Sequence, residues 1–211
     1  MMSIIYYFGE YDGYHMRIAM NLRKQRKKAS RDKILEAAGV RLRTEGIDGA
    51  SVARVMKDAG LTHGGFYAHF KNKADLLHAA MTHSLLQNRK LWTERASTIS
   101  WPKRIVSLAR RYLTTAHRDT LENSCSLAAL ASEACRADEQ FRRTYQQELK
   151  KSLSSICQQD FDTVDNNQQQ ETLALMALLI GGITLSRAVN DEQLSKQVLK
   201  ACRKASAGIA V

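Results

Sequence analysis

An all-α fold is predicted by three features of this chain. There is one proline in 211 residues and no dense glycine-serine stretch, so little interrupts a helix. Apolar residues recur every three to four positions along most of the sequence, the period of a helix with one buried face. The run from Ser51 to Lys73, SVARVMKDAGLTHGGFYAHFKNK, reads as two short helices joined by a tight glycine turn, the layout of a helix-turn-helix. The expected architecture is an N-terminal three-helix bundle carrying that motif, followed by a larger helical domain. A hydrophobic content of 44% is enough to build a core for both.

Residues 1–29 are expected to be a flexible basic arm. No helical or strand period stands out over residues 1–14. Residues 17–28 hold Arg17, Arg23, Lys24, Arg26, Lys27 and Lys28 with no acid. A solvated, frayed arm and an arm that follows phosphate or enters a minor groove both fit that composition. From Ser30 a helix is expected, with Ile34, Leu35, Ala38 and Leu42 inside, Arg31, Lys33, Arg41 and Arg43 outside, and Gly46 at its end. Ser51 is placed to cap the next helix, whose Val52, Val55, Met56 and Ala59 share a face. Gly60 supplies a left-handed stop, Leu61 plugs the corner and Thr62 is placed to cap the following helix, from about His63 to Phe70. Phe66 and Phe70 form the buried side of that helix; His63, Gly64, Gly65, Tyr67 and His69 form the other. Two successive glycines at a helix start cost roughly 1 kcal/mol each against alanine, and close backbone approach to a large partner would offset that.

Lys73 to about Arg95 reads as one long connector, roughly 34 Å at 1.5 Å per residue. Ser100-Trp101-Pro102 marks a restart, followed by a helix from Pro102 to about Asp119 with Ile105, Leu108, Ala109, Tyr112 and Leu113 inward. A short helix near Leu127 to Ala134 comes next. Asp138 caps another, in which Phe141, Tyr145, Leu149 and Leu153 recur every fourth residue. Asp160 to Gln170 is expected to be a loop, and two final helices cover Glu171 to Val189 and Asp191 to about Ala205.

The net charge of +11 points to a polyanionic partner, nucleic acid or an acidic membrane surface. Residues 1–90 carry 16 Lys+Arg against 8 Asp+Glu, and residues 91–211 carry 16 against 13, so most of the excess lies with the helix-turn-helix. The longest uncharged stretch, Thr172 to Ser186, is 15 residues, short of the roughly 20 needed to cross a bilayer. No signal-peptide pattern opens the chain, and a cytoplasmic location is expected. Cys125, Cys135, Cys157 and Cys202 show no CxxC pairing, and His78 and His83 lack the spacing and companions of a metal set, so neither metal nor cofactor is expected. No nucleophile-base pair, HExxH or strand-borne glycine loop argues for an enzyme.

The run Gly60-Leu61-Thr62, then Gly65-Phe66-Tyr67-Ala68-His69-Phe70, then Lys73-Ala74-Asp75-Leu76-Leu77 resembles the DNA-binding domain of tetracycline-repressor (TetR) family regulators, over about residues 30–77. Met56 departs from the small residue such motifs usually carry there. The resemblance implies a DNA-binding head at 30–77 and a ligand-binding and dimerisation body at 78–211. It places the helix from His63 in a major groove, with His63 against base edges and Gly64 and Gly65 allowing close approach. Tyr67 and His69 resemble the family's phosphate-contacting pair, Lys73 holds a backbone phosphate, and Thr62 and Arg54 are weaker phosphate candidates. A small-molecule pocket is implied among the middle helices, for which Trp92, Tyr112, His117, Cys125, Phe141, Tyr145 and Met176 are candidates, although core packing accounts for the same aromatic and methionine pattern. The nearly all-round apolar penultimate helix and the stripe on the last one imply a homodimer, with Leu175, Leu179, Ile183, Leu194, Val198 and Cys202 at its interface. The partners so implied are a near-palindromic DNA operator, a second copy of the chain and an unidentified inducer, with no membrane. The expected function is a ligand-released repressor. A non-specific DNA-packaging protein, or a redox- or electrophile-sensing regulator acting through Cys125, are the alternatives.

Overall fold

The computed structural model describes residues 5–93 and 99–210, with side chains described over 17–90 and 99–210. Every regular element among them is helical. The elements are α1 (Ile5–Gly49), α2 (Val52–Asp58), a 3-10 turn (His63–Ala68), α3 (Lys73–Thr93), α4 (Trp101–Tyr112), α5 (Thr115–Asp119), α6 (Ser126–Ala134), α7 (Glu139–Cys157), α8 (Asn166–Ala188) and α9 (Glu192–Ala205). Short 3-10 turns at Leu121–Asn123, Phe161–Thr163 and Ser206–Gly208 complete the chain.

The first helix does not begin at Ser30. It runs from Ile5, and residues 17–29 are helical and exposed throughout, so the basic segment continues α1 outward as helix. From Ser30 the expected core face holds: Ile34, Leu35, Ala38 and Leu42 are buried. Arg43 departs from expectation. It is 9% exposed and turns inward, where its Nε donates to the Glu122 carbonyl at 2.6 Å and its Nη1 to Ser84 Oγ at 2.9 Å. Those bonds tie α1 to α3 and to the body, and burial lowers the Arg43 pKa.

Gly46 breaks the helix with φ 73, where a side chain would be strained, and a Cβ there would lie 1.9 Å from Glu133 Oε1. Glu133, at the end of α6, accepts from the Ile47 N–H at 2.6 Å. The head is therefore pinned to the body at the turn between α1 and α2. An ionic chain locks α2 onto α1: Arg41 donates to both Glu45 and Asp58, and Arg54 pairs with Glu45. The contact with Arg41 holds the Asp58 carboxyl below its ordinary range.

In the body, the helix expected over 102–119 divides into α4 and α5. The carbonyls that would continue it are taken by side chains: Tyr112 O bonds the His117 ring at 2.7 Å, and Leu113 O accepts from Arg203. Thr114 then caps α5 by accepting from the His117 N–H at 3.1 Å. The loop expected over 160–170 ends early, because Asp165 caps α8 by accepting from the Gln168 N–H at 3.0 Å. Asp138 and Asp191 cap α7 and α9. One apolar core runs from Ile34 on α1 to Leu199 on α9.

Leu175, Leu179 and Ile183 do not form an interface surface. They are 0, 4 and 0% exposed, packed inside the protomer. The outer face of α8 is instead Leu173, Ala174, Ala177, Gly181, Thr184 and Leu185, with Leu194 and Ala201 of α9 also exposed and Val198 and Cys202 half-buried. α8 is 23 residues, long and apolar enough by length and composition to span a bilayer, with 39% of its most apolar stretch buried. An all-round apolar pattern cannot reveal which side is buried, and the structure encloses Leu175, Leu179 and Ile183 while exposing the opposite face.

Candidate nucleic-acid interface and body cavity

Ser51 Oγ accepts from the Arg54 N–H at 3.5 Å, a long cap, and Gly60 takes φ 68 to stop α2 as expected. Leu61 N–H closes the corner on the Met56 carbonyl at 2.9 Å. The second helix of the motif is a 3-10 segment of six residues, His63–Ala68, rather than an α-helix through Phe70. Thr62 stands at its N-cap without a side-chain cap bond; its carbonyl accepts from the Gly65 N–H at 3.0 Å. Phe66 and Phe70 anchor the segment, buried and stacked with centroids 5.7 Å apart. Met56 is buried beneath it and would sit 3.8 Å from a Cβ on Gly65.

With that anchor fixed, His63, Gly64 and Tyr67 face outward. Tyr67 is 69% exposed, its ring edge-on to Phe66 at 5.2 Å and to His63 at 6.4 Å. Buried Phe66 thus orients the tyrosine while leaving its hydroxyl in solvent. His69 is half-buried and its Nδ1 is fully enclosed without a hydrogen-bond partner, so any donation from this ring to a phosphate has to come from Nε2. Desolvation first, then the charges of Lys27 and Arg31, hold its pKa below the ordinary histidine value. Lys73, half-buried, opens α3, where Asn72 and Asp75 cap the start: Asp75 N–H donates to Asn72 Oδ1 at 2.9 Å and Lys71 N–H to Asp75 Oδ2 at 3.0 Å. Arg54 is exposed but paired with Glu45 at 2.6 Å, so a phosphate would have to compete for it.

Gly64 has no role inside the protomer. A Cβ built there meets nothing within 4 Å, and its φ is not in the left-handed region. At Gly65 the added carbon would make only ordinary contacts, at 3.6 and 3.8 Å. The missing side chains leave the backbone of the segment open to whatever docks on it.

The candidate pocket residues divide. A cavity of about 50 Å³ in the body is walled by Leu85, Leu108, Leu127, Ile156, Met176 and Leu179, and at its polar side by Asn88, Arg89, Tyr112, Cys125 and Ser152. Tyr112, Cys125 and Met176 line it. His117, Phe141 and Tyr145 do not: Phe141 packs on His78, and Tyr145 donates to the Leu127 carbonyl at 2.8 Å. Trp92 lies outside the residues whose side chains are described.

His117 instead braces the wall. Its ring stands edge-on to Tyr112 at 4.4 Å, and its Nε2 accepts from the Cys125 N–H at 3.1 Å. Nδ1 must then carry the proton and donate to Tyr112 O at 2.7 Å, which fixes the neutral tautomer. Burial lowers the His117 pKa to about 4, so the ring stays uncharged at neutral pH. Burial also raises the Tyr112 pKa, and that of Tyr145 to about 12. Arg89 reaches from α3 to Glu148 on α7 at 2.6 Å; this carboxylate, 1% exposed, also takes Lys151 at 2.7 Å. Sequence reasoning missed this pair because charged residues within a helical stripe read as solvated.

Residues 34–80 match the family model described as bacterial regulatory proteins, tetR family. No curated protein sequence matches the chain. Among solved structures, a TetR-family transcriptional regulator from Cytophaga hutchinsonii aligns with a TM-score of 0.70 at 20% identity, over 88% of this chain and 97% of its own. One from Chloroflexus aurantiacus aligns with a TM-score of 0.69 at 16% identity, over 87% and 95%. The reduced form of NemR from E. coli aligns with a TM-score of 0.69 at 17% identity, over 86% and 100%. At such identities the likeness is one of fold, and it extends over the body as well as the head. Residues 34–80, which hold the helix-turn-helix, thus match the tetR-family model, and the chain as a whole shares the fold of the TetR-family regulators it aligns with.

Proposed function

We propose that this protein is a sequence-specific, homodimeric DNA-binding regulator that represses from a near-palindromic operator and is released by a small molecule entering the body cavity. The observation that carries this reading is the reading turn itself: His63, Gly64 and Tyr67 are presented outward from a buried Phe66–Phe70 anchor, and Gly64 has no intramolecular reason to lack a side chain. His63 reads a base edge; Tyr67, Lys73 and the His69 Nε2 hold phosphates, and Arg54 joins them if it leaves Glu45. A second copy docks on the outer face of α8 and α9, because a lone head contacts too few base pairs and the twofold axis doubles them.

The cavity, at about 50 Å³, has room for one or two waters, well below the roughly 300 Å³ of a typical ligand site. A ligand must therefore widen it, separating α3 from α7 and α8. Since α3 continues into the head, that widening moves the reading turn.

The test is fluorescence-anisotropy titration of DNA flanking the protein's own gene, beside scrambled DNA of equal length, over a salt series. A preference of roughly 10³ or more for one segment supports a specific regulator. Equal, salt-sensitive binding to every segment of a tiled genomic set would turn the reading to a DNA-packaging role. A second reading rests on Cys125, whose position in the cavity wall brings any entering electrophile against its sulfur. If that reading holds, Cys125→Ser keeps DNA binding but loses release by thiol-reactive compounds.

A further inference from the structure

Among the described residues of α1 before the head, none is buried in the fold. All thirteen residues from Arg17 to Ala29 are exposed, and helices of about that length are marginal in water on their own. They carry six basic side chains and no acid. Lys24, Lys27, Lys28 and Arg31 fall at i, i+3, i+4 and i+7, on one face of the helix. That face is registered to the reading turn: the Arg31 guanidinium sits 4.4 Å from the centroid of Phe70, and Lys27 lies one turn further out, near enough to act on His69. From Arg17 to Lys28 the helix advances about 16 Å, roughly five phosphates along one strand.

We propose that this helical extension is a rail for the DNA backbone flanking each half-site, contacting phosphates in line with the reading turn and independently of sequence. The inference rests on the DNA-binding reading above and extends its footprint outward. An anionic membrane surface fits less well. Ile18 and Leu22 share a side but Met20 falls opposite, so no broad apolar face accompanies the charge.

The test uses the full-length chain carrying Arg23→Gln, Lys24→Gln and Lys27→Gln together. Glutamine matches these residues in helix propensity, so circular dichroism should be unchanged. Binding is measured across a salt series on both the preferred segment and scrambled DNA. The expected result is a slope of log K against log salt flatter by about two to three for each protomer, with both DNAs weakened in equal proportion and the preference between them intact. An unchanged slope overturns the rail. A changed preference overturns it as well, since the extension would then be reading bases. Lost binding to phosphatidylserine vesicles with an unchanged DNA slope assigns the helix to a membrane instead. Should the wild-type protein show no preferred segment, the operator reading fails alone, because the slope on scrambled DNA still reports the rail.

Discussion

At the scale of single residues, Gly64 and His117 show how a side chain, or its lack, separates stability from function. Gly64 sits in open space, so Gly64→Ala should raise the thermal stability of the protein slightly, by about 0.5 kcal/mol, because alanine restricts the unfolded chain. The same change should weaken operator binding roughly tenfold or more, about 1.4 kcal/mol, by holding the backbone off the groove. If anisotropy showed full affinity in this variant, close approach at Gly64 would be wrong. His117 makes a different prediction. Its folded pKa, near 4, lies below the ordinary 6.5, so the unfolded chain takes up the proton first as pH falls. The associated stability is complete above about pH 6.5 and is lost between there and about 4, up to about 3 kcal/mol. Urea melts at several pH values should show a shallower pH dependence in His117→Asn than in the wild type across that window. Parallel curves would mean another group governs it.

At the scale of elements, α6 stands out, because its two ends serve different parts of the molecule. Cys125 and Leu127 at its start line the cavity, and Glu133 near its end holds the Ile47 N–H of the head. Glu133→Ala should remove the acceptor of that part-buried amide, a loss of about 1 kcal/mol, and loosen the head relative to the body. Hydrogen exchange would register this as faster exchange at Ile47 and along α2, with α7 and α8 unaffected; uniform acceleration would indicate global destabilisation instead. Gly46→Ala should be at least as damaging, since it combines a positive φ with a clash against the same carboxylate.

At the scale of the whole molecule, α8 and α9 distinguish inside from outside. Leu185 is 54% exposed, so Leu185→Glu costs the protomer little; light scattering should report a monomer, and operator affinity should collapse with it. Leu175 is 0% exposed, and Leu175→Ala should cost about 2–5 kcal/mol of stability without altering the assembly of whatever remains folded. A dimeric Leu185→Glu protein would place the second copy elsewhere on the surface.

The sequence by itself determined the helical class, the order of most elements, the helix-turn-helix with its Gly60 stop and Phe66–Phe70 anchor, and the outward placement of His63 and Tyr67. These are local matters: periodicity, capping and φ preference act over a turn or two of chain. Tertiary structure alone decided that Arg43 turns inward, since its partners Ser84 and Glu122 are 41 and 79 residues away. It also decided that α4 stops at Tyr112, where the ring of His117 and the guanidinium of Arg203 take the carbonyls a longer helix would use. It divided the pocket candidates, keeping Tyr112, Cys125 and Met176 and turning Phe141 and Tyr145 to packing. On α8 the pattern is apolar all round, so no periodicity marks a buried side; only packing against α4, α5, α6, α7 and α9 sets which leucines are enclosed and which stay exposed.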